Sequence, residues 1–93
     1  MTLVLKDPGA KLDYLVDWGA DYLGEDVVAA SHWAISPEEE GGVAIVGETF
    51  DDASATVTVA GGVAGRRYRL SNRVTTSSGR VDERSLLLRV EER

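Results

Sequence analysis

The chain has 93 residues, with 16 acidic and 10 basic side chains and a formal net charge of −6. It has no cysteine, which excludes a disulfide framework and a thiolate metal site. The length predicts one domain over residues 1–93 with one modest core, and the acidic balance argues against nucleic acid as main partner, because phosphate binding needs a positive footprint.

The opening Met1-Thr2-Leu3-Val4-Leu5-Lys6-Asp7-Pro8 is too short and lacks the basic head of a secretory signal. No apolar run approaches the length of a membrane span. Leu3 to Leu5 is predicted as a short first strand. Leu12, Tyr14, Val16 and Trp18 then alternate with Lys11, Asp13, Leu15 and Asp17, the period of a half-buried strand. Gly19 to Asp26 reads as a polar loop. The next run places Val27, Ala29, Ser31, Trp33 and Ile35 on one face, with Val28, Ala30, His32 and Ala34 on the other. Pro37 ends it, since proline cannot donate into a sheet ladder. Glu38, Glu39, Glu40, Gly41 and Gly42 form a solvated turn.

Val43 to Phe50 is a shorter strand, bent at Gly47, and Asp51-Asp52 turns the chain. Ala55, Val57 and Val59 alternate with Thr56 and Thr58, a β-prone run. Gly61, Gly62 and Gly65 mark a corner. After it, Tyr68, Leu70, Asn72, Val74 and Thr76 share one face, while Arg67, Arg69, Ser71, Arg73 and Thr75 share the other. Ser77-Ser78-Gly79 is a hairpin turn. The last strand buries Leu86, Leu88 and Val90 and exposes Ser85, Leu87, Arg89 and Glu91.

About seven strands with regular turn spacing predict an all-β fold, an immunoglobulin- or fibronectin-like sandwich. A small jelly roll or barrel is the other reading. Trp18 and Trp33 are placed as core aromatics on early strands, and Tyr68 where a tyrosine corner would sit. Asn72 points inward, so its amide must find hydrogen-bond partners; a neighbouring loop's backbone is the expected one.

Several phrases occur together: Lys6-Asp7-Pro8, Leu12-Asp13-Tyr14, Val16-Asp17-Trp18, Ser31-His32-Trp33, Asn72-Arg73-Val74-Thr75-Thr76 and Gly79-Arg80-Val81-Asp82-Glu83-Arg84-Ser85-Leu86. Over essentially its whole length the chain resembles a family of small structural proteins of tailed phages and prophages. The resemblance implies an immunoglobulin-like virion protein, some of whose relatives join tail fibres to the tail or baseplate. Glu38-Glu39-Glu40 departs from the pattern, which has a shorter and less charged loop there. The resemblance supplies no catalytic site.

Nor do the residues. Ser31 and His32 are adjacent on a strand, so their side chains point to opposite faces, and no nucleophile elbow is present. Asp13 and Asp17 lie about 13 Å apart along one strand, too far for either hydrolytic geometry. Asp21, Glu25 and Asp26 could offer oxygen ligands to a hard cation, but they lack the spacing of a calcium loop. The expected sites are therefore neither catalytic, nor metal, nor cofactor sites.

Charge is unevenly spread. Residues 1–60 carry −10 and residues 61–93 carry +4, the latter with eight arginines and no lysine. Arginine's planar fork suits protein interfaces and fixed ion pairs. Arg67, Arg69, Arg73, Arg80, Asp82, Arg84, Leu87 and Arg89 are thus the interface candidates, with intramolecular ion pairing as the competing role. With Asp13 and Asp17 on the opposite sheet, one face is acidic and the other basic. Such a module docks onto a complementary subunit or head to tail onto its own copies. The expected role is an adaptor between tail or baseplate and fibres, in the virion, assembled in the host cytoplasm. Its expected partners are other phage structural proteins, its own copies in the particle among them, and neither nucleic acid nor membrane. Capsid decoration or head completion is an alternative, as is carbohydrate or receptor binding. The last has little support, because Trp18 and Trp33 offer no exposed stacking platform.

Overall fold

The computed structural model describes residues 2–20 and 22–92. Seven strands follow in chain order: β1 (Thr2–Lys6), β2 (Leu12–Asp17), β3 (Val28–Ser36), β4 (Val43–Phe50), β5 (Ser54–Gly61), β6 (Arg67–Thr76) and β7 (Val81–Val90). No helix occurs among the described residues. The strands form two sheets, ordered β1-β7-β6-β3 and β2-β5-β4. All pairs are antiparallel except the first: β1 lies parallel to β7, with Lys6 opposite Val90.

The two-residue period turns one row of each strand inward. Ala55, Val57 and Val59 of β5 meet Tyr68, Leu70 and Val74 of β6 and Leu88 and Val90 of β7, all buried with Trp18, Trp33 and Val43. Each large apolar side chain in that set contributes about 1.5–3 kcal/mol of burial free energy. The sandwich follows the immunoglobulin order, with its first strand moved beside its last. Trp33 occupies the third strand, where that fold keeps its core tryptophan.

That fold commonly ties its second and sixth strands with a disulfide. Here the tie is a hydrogen bond. Trp18, one residue past β2, donates its indole N–H to Asn72 Oδ1 of β6 at 2.8 Å. Asn72 Nδ2 donates in turn to Ser31 Oγ at 2.9 Å and to the His32 carbonyl at 3.3 Å. The amide therefore finds its partners on β3 and at the end of β2, not in a loop backbone.

The corner end of the sandwich is held by Tyr68. Its hydroxyl accepts from the Val63 N–H at 3.1 Å and donates to Glu39 Oε1 at 2.6 Å. The Glu39 carboxylate also pairs with Arg66 at 3.5 Å. This is the expected tyrosine corner, but the Glu38–Glu40 turn is more than solvated: Glu39 is half-buried structure. Lys6 is fully buried nearby, and its ammonium donates to the carbonyls of Gly61 and Asp7. Burial pushes that ammonium below the ordinary lysine value, and Asp7 pulls it partly back. Gly61 and Gly62 turn this corner at φ +78° and +121°, a region open to glycine. A Cβ on Gly62 would also come within 2.7 Å of Val90.

Two strands differ from the expected alternation. On β3 the register shifts between Val28 and Ala30, a bulge that puts an extra residue into the strand. Val28, not Val27, is therefore buried, and Val27 is 37 % exposed. Ala29 is exposed too, while Ser31, Trp33 and Ile35 keep their inward row. On β4 the shift falls between Ile45 and Gly47, so the irregular residue is Val46, one place before the expected bend. The stretch Gly19–Asp26 is not simply polar either, because Leu23 is buried and Tyr22 half-buried.

The buried Tyr14 hydroxyl and Trp33 indole N–H have no partner among the described residues, and burial raises the Tyr14 phenol above its ordinary value. Replacing Asn72 by Ala strands the Trp18 N–H and is expected to cost about 2–3 kcal/mol in urea unfolding. Tyr14→Phe removes a hydroxyl with nothing to bond. It is expected to leave stability unchanged or raise it by up to about 1 kcal/mol in the same measurement.

Candidate functional site

The arginine candidates separate into two groups. On β6, alternation sends Asn72 inward and Arg67, Arg69, Ser71 and Arg73 outward. Pairing with β3 and β7 arranges that outer face in rows. Leu87, Arg69 and Ser36 form one row, which Leu3 of β1 extends. Ser85, Ser71 and Ala34 form the next, and Glu83, Arg73 and His32 the third. The hydroxyls of Ser71 and Ser85 lie 2.7 Å apart. Arg89 belongs to the same face and pairs with Glu91 at 2.7 Å. Leu87, expected to be exposed, is half-buried, because β1 covers the flank of β7 and brings Leu3 beside it. Leu3 and Leu5 are 52 % and 43 % exposed, so this edge of the arginine face is apolar.

Arg80 and Arg84 serve elsewhere. Arg84 shares the parity of Leu86 and Leu88, so it points inward, where its guanidinium lies 4.5 Å from the centre of the Trp18 ring. It also donates to the Asp17 carbonyl at 3.4 Å. Trp18 meets Tyr22 edge to face at 5.4 Å, and Arg80 lies 4.8 Å over the Tyr22 ring. Arg80 further bonds the Leu23 carbonyl at 3.2 Å and Asp26 Oδ2 at 3.1 Å. The result is a cation–ring–ring–cation stack that clamps the β2–β3 connection against the β6–β7 hairpin. Each cation–π contact is worth about 0.5–2 kcal/mol, by degree of desolvation. Asp82 stays exposed, and its carboxylate accepts from the Glu83 N–H at 2.7 Å. Sequence reasoning missed this clamp, although Tyr22 and Leu23 inside a polar stretch were its signal.

Asp26 completes the clamp by accepting from the Ser78 hydroxyl and from Arg80. Those bonds, the Ser78 one first, then Thr76 and Arg80, hold its carboxyl below the ordinary value. Of the other oxygen ligands considered for a cation, Glu25 is exposed and Asp21 lies outside the described residues, as does Arg93. No group of three or more His, Asp or Glu side chains among the described residues comes together to hold a metal ion. Ser31 and His32 lie on opposite faces, with the Ser31 hydroxyl accepting from Asn72 and His32 exposed.

The opposite sheet presents the reverse charge. Asp13, Leu15 and Asp17 point outward from β2. Asp13 accepts from the Thr58 hydroxyl, and Asp17 accepts from the Gly19 N–H at 3.1 Å. Clefts of about 410 Å³ between β3 and β4, and about 330 Å³ between β2 and β7, open along the two flanks.

The folded state binds the Asp26 proton more weakly than the unfolded chain does, so its bonds add stability above the ordinary carboxylate value. That contribution is lost as the pH falls below about 4 and through the lowered value. Amide protection factors measured by NMR at Tyr22–Val27, each referred to the intrinsic exchange rate at its pH, are expected to fall over that range ahead of those of the β5 and β6 core. Asp26→Asn is expected to bring the lowered protection to neutral pH.

Comparison with curated proteins finds no match. Comparison with protein families matches residues 6–89 to the one described as Podophage GP4 fiber-tail adaptor protein gp77. The match runs from the buried Lys6 to Arg89 and so takes in the outward arginines, the clamp, β2 to β6, β7 as far as Arg89, and Lys6 of β1. This chain belongs to the podophage GP4 fibre-tail adaptor protein gp77 family.

Proposed function

We propose that this protein acts without catalysis, as an adaptor joining the phage tail or baseplate to the fibres, and that its docking surface is the outer face of β6 and β7. Membership of a fibre-tail adaptor family places it in the virion among other tail proteins. The observation that carries the reading is the composition of that one face. Arg67, Arg69, Arg73 and Arg89 stand beside Leu3, Leu5 and Leu87 on one face of a hydrogen-bonded sheet. Interfaces are enriched in arginine, whose fork recognises carboxylates while its stem packs on apolar neighbours.

The hairpin from Ser77 to Arg84 borders the same platform, and the clamp behind it keeps the hairpin rigid. A rigid surface costs little ordering entropy on docking. Arg80 and Arg84 then act by positioning the hairpin, while Asp82 stands at its rim for a partner. Assembly onto the particle in the host cytoplasm completes the reading.

The double charge reversal Arg69→Glu and Arg73→Glu is expected to weaken attachment to purified tails or fibres at least about tenfold. Circular dichroism and the melting curve should stay unchanged, because both side chains lie outside the core. Sedimentation and electron microscopy read the attachment, and undiminished decoration of the particles would refute the assignment of the face.

A further inference from the structure

We propose that the arginine face of one copy receives the β2 edge of a second copy in a head-to-tail contact. This rests on reading that face as a docking surface and names what docks there. On β2, Asp13, Leu15 and Asp17 project outward at two-residue steps, and Leu15 is 58 % exposed. β2 is an edge strand of its sheet, so these side chains form an acid–leucine–acid ridge along one border of the molecule.

On β6, Arg69, Ser71 and Arg73 project outward at the same steps. Strand geometry sets both steps at about 6.7 Å and the outer charges about 13 Å apart on each surface. The ridge and the face therefore share one repeat. Between the two arginines, Ser71 is flanked by Ala34 of β3 and Ser85 of β7. One serine hydroxyl donates to the other at 2.7 Å, so a single O–H of this row is left to bond solvent or a docked carboxylate. The row of small residues is a trough between the Arg69 row and the Arg73 row. Leu15 of the second copy enters the trough, and its flanking carboxylates reach the two arginine rows.

Like-on-like contacts of the same faces set arginine against arginine or aspartate against aspartate, which selects the mixed pairing. The ridge and the trough lie on opposite sheets, so each docked copy still offers one of each. The contact is heterologous and continues until it closes.

Two variant sets test this on the full chain. One reverses the ridge (Asp13→Lys with Asp17→Lys) and the other reverses the face (Arg69→Glu with Arg73→Glu). Sedimentation of the wild-type chain up to about 1 mM is expected to show mass rising with concentration, suppressed by salt. Each variant alone should remain monomeric. Their mixture should associate again, because the first keeps an intact face and the second an intact ridge. That recovery also shows both variants to be folded. Leu15→Glu should abolish association with no change in melting temperature. A wild-type chain that stays monomeric over this range overturns the self-contact, as do variants that associate like the wild type. Binding of the same proteins to purified tails is measured in parallel. A monomeric chain that still decorates tails refutes the self-contact and leaves the adaptor reading standing, whereas self-association without decoration does the reverse.

Discussion

The structure depends on one amide. A sandwich without cysteine is held by apolar faces, and dispersion and hydrophobic burial are nearly indifferent to small slips between them. Asn72 supplies the missing direction. Its oxygen accepts from Trp18 at the end of β2, and its nitrogen donates to Ser31 and His32 on β3. Asn72 and Trp18 are fully buried, so a displaced partner would leave a polar group unpaired, and that penalty fixes how the two sheets sit. The same strand carries Arg69 and Arg73 on its other side. What holds the inside in register thus also sets the position of the charges outside.

The two ends are closed by different chemistry. At the corner end a phenol, a carboxylate and a buried ammonium satisfy backbone groups around Gly61 and Val63. At the hairpin end two guanidinium groups sandwich two aromatic rings. Neither solution needs a long loop to reach inward. Both use charged side chains whose apolar stems or flat faces pack while their polar atoms remain bonded. Part of the arginine richness of the last third is accordingly structural. The rest is displayed on β6 and β7.

How much of this could be read in the sequence follows from where the two-residue period is unbroken. Along β2, β5 and β6 every inward and outward assignment stands, including the inward Asn72 and the outward Arg67, Arg69 and Arg73. The all-β class, the core tryptophans and the tyrosine corner were legible for the same reason. The period fails where a strand gains a residue, as at Ala29 and Val46, because a bulge leaves no mark in an alternating pattern of alanine and valine. It also says which way a side chain points but not what covers it. Arg84 has the parity of Leu86 and Leu88, so its inward direction was available, but the ring it meets comes from a segment more than sixty residues away. Glu39 was misjudged on the same ground: three adjacent glutamates look alike until Tyr68 comes within reach of one of them.

The parallel pairing of β1 with β7 ties the earliest strand of the chain to the latest. Of the described strands a ribosome delivers β1 first, and its ladder partner β7 emerges last. Until residue 90 has left the exit tunnel, Lys6 has no Val90 beside it, and the sheet that displays the arginines lacks its apolar border. Contacts this distant in sequence slow the final closure. The arginine face is therefore completed only after β7 has emerged.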